Sequence, residues 1–477
     1  MSEDNCLNIL FVSAECLPFC ANGGVSDMCY ALSKYISKNE KHDVRVVLPY
    51  YTLIPEEYKS KFKLAGERTV ELTWRKEYCG IYEFKKDNIT YYFIDNKRYF
   101  DREKMFGYDD DIERFSFFSK AVLDMFPIVS FFPDIIHTND WQSSMVCTFL
   151  KTLEWQNPKY ERMKTVFNVH NLIYQGKTNF GIVKDLLGID DRFAYLFDFY
   201  GEANITKASL LCTDKIVTVS ESYMDEILYT DKGYGLQNVL EQCKHKLSGI
   251  TNGIDYEFYN PATDPTIYQM FDENSLDLRA QNKTKLQEEL GLDVNPNAPL
   301  YCFIGFMAGH KGWDLLSKVL ESYIQKGVQF VASGKMSSEY EAYARYLNEK
   351  YPQSVKICFG YNGHLAKKFY ASCDFLLNIS SIEPCGLCPL IANKYGTLPI
   401  CYYTGGIKDN LSDFKNPDGN GYILRNYDTT SLCDLLDRTL HDFENKEKIK
   451  SYIISGMNKS FDIRDCAIKY LNLYEKM

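Results

Sequence analysis

Leu7-Asn-Ile-Leu-Phe-Val-Ser-Ala-Glu-Cys-Leu-Pro-Phe-Cys-Ala-Asn-Gly-Gly-Val-Ser-Asp27 is the stretch that decides the fold. Its first seven residues form a short apolar, β-branched and aromatic run, the pattern of a buried strand. Asn22-Gly-Gly-Val-Ser26 then reads as a glycine-containing loop, and Asp27 to about Ser37 has helical spacing. His42-Asp-Val-Arg-Val-Val-Leu-Pro49 reads as a second strand. Strand, loop, helix and strand in that order make a βαβ unit, which requires a parallel sheet.

The pattern recurs along the chain. Strand ends are expected at Asp134-Ile-Ile-His137, Lys164 to His170 and Lys215 to Ser220. A second series starts at Tyr301-Cys-Phe-Ile-Gly305, followed by a helix from Trp313 to about Lys326. It continues through Val328 to Gly334, Val355 to Phe359, Phe375 to Ile379 and Thr397 to Cys401. Two such series predict two doubly wound domains facing each other. Asn, Gly, Pro and Asp cluster from Asn252 to Pro265, which marks a hinge. The segment from Lys446 to Met477 again has helical spacing.

Composition narrows the function. A chain of 477 residues exceeds what one core supports. The net charge is −10, and the basic residues form only short pairs such as Lys85-Lys86, which argues against a nucleic-acid partner. The 37 Tyr and 30 Phe reflect a codon bias or, as readily, a large core with carbohydrate-contacting surface, so they decide nothing alone. Sixteen cysteines are scattered, and Cys385-Gly-Leu-Cys388 has no second pair at zinc-like spacing, so no metal is expected. The first residues, Met1-Ser-Glu-Asp-Asn-Cys6, are acidic and lead into no signal-type apolar region. A cytoplasmic location with reduced thiols and no membrane partner is the expectation.

In doubly wound sheets, ligands bind beyond the carboxyl ends of the strands. Polar or glycine-rich segments stand there repeatedly, at Gly23-Gly24, His137 to Trp141, His170 to Gly176, Ser220-Glu221, Gly305 to Gly312, Ser380 to Gly386 and Thr404 to Asp409. Read together, these segments resemble the glycogen/starch synthase family of retaining GT-B glycosyltransferases. The resemblance rests on Phe11 to Asp27, Tyr99-Phe-Asp-Arg102, Pro133 to Trp141 and Val169-His-Asn-Leu-Ile-Tyr-Gln-Gly176. It rests also on Asn252-Gly-Ile-Asp255, Asn260-Pro-Ala-Thr-Asp264, Glu383-Pro-Cys-Gly-Leu387, Tyr395 to Pro399 and Thr404-Gly-Gly-Ile407.

The resemblance implies an α/β GT-B fold, with two doubly wound Rossmann-like domains facing across a cleft. Residues 1–256 would be the acceptor-side domain and 257–455 the nucleotide-sugar domain. Residues 456–477 would pack back toward the first. It implies transfer of glucose from ADP- or UDP-glucose to an α-glucan, with no cofactor. Negative charge grows on the leaving diphosphate, so the site needs cations there and polar groups on the sugar. Lys311 is similar to the family's diphosphate lysine, and Glu383 to the glutamate that holds the transferred sugar. His170 and Asn171 match groups near the reacting carbon, and Asp140 with Trp141 matches an acceptor-side pair. Tyr361 matches an aromatic against the base. Backbone N–H groups of Cys385, Gly386 and Leu387 could meet sugar or phosphate oxygens. Thr404, Gly405 and Gly406 look like the turn near the donor phosphates, with Gly23, Gly24 and Asp27 on the opposite wall.

Four positions depart from the family. Its Lys before Thr-Gly-Gly is Ala21, followed by Asn22. Its Arg in Gly-Arg-Leu is Phe306. Its Ser-Arg-Phe-Glu-Pro reads Ser380-Ser-Ile-Glu-Pro384, and its Thr after Gly-Leu is Cys388. Each donor lost from a transition-state oxyanion costs about 10²–10³ in rate. Lys408, Lys367 and Lys368 are the replacements the sequence offers. Two readings stay open, an active transferase and a relative that binds glucan or nucleotide without turnover.

Overall fold

A computed structural model describes residues 6–154 and 156–477. Met1–Asn5, the acidic start of the chain, and Trp155 lie outside the described residues. The chain divides into two compact units, 1–252 with 463–477, and 253–462. No helix is long and apolar enough to cross a membrane among the described residues.

The first unit carries strands β1 (Asn8–Val12), β2 (Asp43–Pro49), β3 (Lys63–Leu72), β4 (Arg75–Lys86), β5 (Ile89–Asp95), β6 (Ile135–Asn139) and β7 (Lys164–Val169). Strands β8 (Lys177–Asn179), β9 (Asp198–Phe199) and β10 (Glu202–Asn204) form a small separate sheet, and β11 (Lys215–Thr218) and β12 (Leu247–Gly249) complete the main one. The main sheet runs β12-β11-β7-β6-β1-β2-β5-β4-β3. It is parallel from β12 to β5, and β4 and β3 extend it antiparallel. This hairpin extension goes beyond the βαβ rhythm that the apolar runs predict. The helix Ile463–Tyr474 belongs to this unit, and its Tyr474 hydroxyl lies 2.6 Å from Nδ1 of His137 in β6.

The second unit has strands β13 (Leu300–Ile304), β14 (Gln329–Gly334), β15 (Val355–Phe359), β16 (Phe375–Asn378), β17 (Leu398–Tyr402) and β18 (Tyr422–Leu424). All pair in parallel, in the order β15-β14-β13-β16-β17-β18. Alternation along each strand feeds a core on both faces. Tyr301, Phe303, Phe330, Phe375 and Ile400 pack with Trp313 and Leu316 of the helix Trp313–Gln325. Cys302, Ile304, Val331 and Leu376 pack on the other side with Phe369 and Leu390.

The glycine loop differs from its sequence reading. The first helix starts at Gly24, ahead of Asp27, so Gly24 is in its first turn and Gly23 is the residue before it. At the carboxyl edge of β14, a Cβ on Gly334 would stand 1.7 Å from the Gly305 carbonyl oxygen. Gly327 has φ of +93° and open space around it. Gly327→Ala therefore meets backbone strain alone, about 1–3 kcal/mol, whereas Gly334→Ala drives one backbone into another and loses clearly more. Urea unfolding of both variants checks this, and the reverse ranking would contradict the close approach of β13 and β14.

Candidate active site

Both parallel sheets have a topological switch point, where neighbouring strands lead off in opposite directions. In the second unit it lies between β13 and β16, and in the first between β1 and β6. The crevice at the carboxyl ends of such strands is where this architecture binds ligands.

In the second unit, Lys311 follows β13 and Glu383 follows β16. Lys311 Nζ donates to Glu383 Oε2 at 3.1 Å, and both side chains are largely shielded. Their loops are clipped together. The His310 carbonyl accepts from the Ser381 N–H at 2.9 Å and from the Ser381 hydroxyl at 3.2 Å. A Cβ on Gly312 would fall 2.3 Å from Ile379 Cγ1, and φ there is +96°, so both space and conformation demand glycine. Thr404, Gly405 and Gly406 follow β17, and the two glycines lie on the Glu383–Cys385 backbone. The Gly406 N–H reaches the carbonyls of Glu383 and Pro384, each at 3.1 Å. A Cβ on Gly405 would stand 2.1 Å from the Glu383 oxygen, and one on Gly406 2.6 Å from Cys385 Cα. Gly386 precedes the helix Leu387–Lys394, while Cys385 is buried. These predicted residues thus come together at one edge.

Tyr361 is exposed, just beyond β15, where the Gly360 N–H donates to the Gly334 carbonyl at 2.8 Å. Phe306 is 42% exposed, with its ring 6.0 Å from that of His310. Burial and the adjacent Lys311 charge lower the His310 pKa. Two of the lysines offered as replacements are engaged elsewhere. Lys367 pairs with buried Asp264 at 3.2 Å and stacks over Phe258, and Lys368 pairs with Glu289 at 2.6 Å. Lys408 lies in the short helix Ile407–Asn410 that follows the Gly405-Gly406 turn.

In the first unit, Asp140 follows β6, and His170 and Asn171 follow β7. The Asp140 carboxylate does not cap its own helix, Trp141–Thr152. It accepts from the His170 N–H at 2.7 Å and from the Asn171 N–H, which ties the two strand ends together. Asp140 has φ of +53° and ψ of 178°, a conformation costing about 1–3 kcal/mol that its surroundings enforce. Trp141 is half-buried, packing edge-on to Phe115 and against Gly176. His170 Nε2 lies 2.9 Å from Asn139 Oδ1, and Asn139 Nδ2 donates to the Val12 carbonyl, which makes Nε2 the protonated nitrogen. Burial lowers the pKa of His170 to about 3, and that of His137 to about 3. Burial raises Asp140 to about 7 against the opposing pull of the His170 and Asn171 N–H groups.

Glu15 is a functional candidate that no motif in the sequence singles out. This buried carboxyl group accepts, through one oxygen, from the N–H groups of Asn22 and Gly23, and so shapes the Gly23-Gly24 loop. Asp27 lies in the first turn of the helix that follows. Burial raises the Glu15 pKa to about 8, with Asp140 and Asp27 adding to the rise. A Glu three residues past a strand was the available signal. Among the described residues, no three or more His, Cys, Asp and Glu side chains are arranged to hold a metal ion, and every described cysteine is a free thiol.

Two doubly wound units with polar and cationic groups at their switch points are the architecture of a GT-B glycosyltransferase. The family model of the starch synthase catalytic domain matches residues 8–242, and that of glycosyl transferases group 1 matches 284–455. A glycogen synthase of Bacillus cereus is 37% identical over 99% of this chain and 100% of its own length, and one of Clostridium novyi 36% over 99% of each. The solved catalytic domain of starch synthase IV from Arabidopsis thaliana, bound to ADP and acarbose, superposes with a TM-score of 0.92 at 26% identity, covering 99% of each chain. The chain belongs to the glycogen/starch synthase family, hexosyltransferases that build glucan from a nucleotide sugar.

The buried acids give stability a definite pH dependence. His137 and His170, lowered to about 3 in the fold from an ordinary 6.5, weaken the fold as pH falls through 6.5, where the unfolded chain takes up protons that the fold does not. From about one pH unit above that value they are neutral in both states, and the acids set the slope. Glu15 holds its proton in the fold up to about pH 8, and Asp140 up to about pH 7, while in the unfolded chain both ionise near their ordinary values of 4.5 and 3.8. The fold then binds more protons than the unfolded chain, so stability falls as pH rises toward 8. Glu15→Gln removes the larger part of that fall. Thermal unfolding of the parent and the variant between pH 6.5 and 8 checks it, and parallel curves would contradict a neutral, buried Glu15.

Proposed function

We propose that this chain transfers glucose from ADP-glucose or UDP-glucose to the non-reducing end of an α-1,4-glucan, with retention at the anomeric carbon. The observation that carries the reading is the Lys311–Glu383 pair at the switch point of the second unit. An ammonium there suits the phosphate oxygens of a leaving diphosphate, and a carboxylate beside it suits sugar hydroxyls. The unit 253–462 would hold the donor, with Tyr361 against the base and Cys385, Gly386, Leu387 and the Thr404-Gly405-Gly406 turn around sugar and phosphate. The unit 1–252 with 463–477 would serve the acceptor side, through His170, Asn171, Asp140 and the Gly23-Gly24 loop with Asp27.

His170 stays neutral across the physiological range, so it acts as a hydrogen-bonding group near the reacting carbon and carries no charge. Lys311 supplies positive charge where negative charge develops, the interaction that lowers the barrier. Glu383 orients the sugar and holds Lys311 in place before the donor arrives.

The test is incubation of the full chain with labelled ADP-glucose and UDP-glucose, with and without a glucan primer. Label enters the glucan from at least one donor, and Lys311→Ala lowers kcat about 10²–10³-fold. Absence of transfer and of donor hydrolysis from both donors would overturn the proposal, and binding of donor or glucan without turnover would favour the non-catalytic reading instead.

A further inference from the structure

We infer that Lys335 is a second cation for the leaving diphosphate, an inference that rests on the donor site proposed above. Lys311 and Glu383 together carry no net charge, and a diphosphate brings at least two negative charges to that edge. A second positive group is needed, and the β13 loop up to Lys311 offers Phe306 and His310 in place of an arginine.

The strand register shows where it stands. β13 and β14 pair in parallel with Ile304 opposite Ser333. The pairing carries on past the strand ends, because the Gly305 N–H donates to the Ser333 carbonyl at 3.0 Å and the Met307 N–H to the Lys335 carbonyl at 2.8 Å. Met307 and Met336 then form a bridge in the same register. Phe306 and Lys335 are therefore direct neighbours across the pair, at a strand spacing of about 4.8 Å. Gly305 and Gly334 share the preceding register position, where the two backbones are so close that a Cβ on Gly334 would meet the Gly305 carbonyl oxygen. Lys335 is exposed at this edge, and Tyr361 lies just beyond the neighbouring β15, joined through the Gly360–Gly334 bridge. The cation missing at 306 is thus supplied from the adjacent strand.

The experiment is calorimetric binding of ADP, UDP, AMP and UMP to the full chain, as parent, Lys335→Met, Lys335→Arg and the double variant Phe306→Arg/Lys335→Met. Lys335→Met weakens both diphosphates about tenfold or more and changes the monophosphates far less. Lys335→Arg keeps the affinity, and Phe306→Arg restores it in the double variant. Unchanged diphosphate binding in Lys335→Met overturns the inference, as does equal weakening of mono- and diphosphates, or a parent that binds no diphosphate. A parent that shows the Lys335 dependence yet transfers no sugar overturns the proposed transferase activity and leaves the diphosphate contact standing.

Discussion

Backbone lies directly on backbone at the carboxyl edge of the second sheet, and the rest of the site depends on that contact. The Gly405-Gly406 turn rests on Glu383–Cys385, Gly312 rests on Ile379, and Gly334 rests on Gly305. A side chain at any of these glycines would push the segments apart. Because they touch, the loops after β13, β16 and β17 form one body, and Lys311 meets Glu383 at 3.1 Å without a long flexible search. Groups held this way lose little freedom when a ligand arrives.

The two units treat charge differently. The second keeps an ion pair at its switch point, and the register sets Lys335 opposite Phe306 on the neighbouring strand. The first keeps its groups neutral through burial: His137 and His170 unprotonated, Glu15 protonated below about pH 8. Neutral hydrogen-bonding groups suit an uncharged, hydroxyl-rich acceptor, and cations suit a phosphate-bearing donor.

Much of this is legible in the sequence. The apolar runs mark most parallel strands to within a residue or two, because buried strands read as continuous hydrophobic segments. The segments that carry Lys311, Glu383, Asp140 and His170 are legible because each follows such a strand, whereas the choice of these residues within them comes from the family resemblance. The β3–β4 hairpin is not, since many of its residues are exposed and it lacks a continuous apolar face. Glu15 is hard to see because its partners are backbone N–H groups, and its one sequence signal is its place three residues past β1. Lys367 and Lys368 mislead for the opposite reason: their partners Asp264 and Glu289 are distant in sequence. Lys335 needs the register of β14 on β13, a pairing that sequence alone does not supply.

NMR of the product formed from a donor labelled at the anomeric carbon tests the central claim most directly. The expected result is a labelled, newly α-1,4-linked glucosyl unit on the glucan, with the donor's anomeric configuration kept. A β-linked product, or label that stays wholly in the donor, would contradict it.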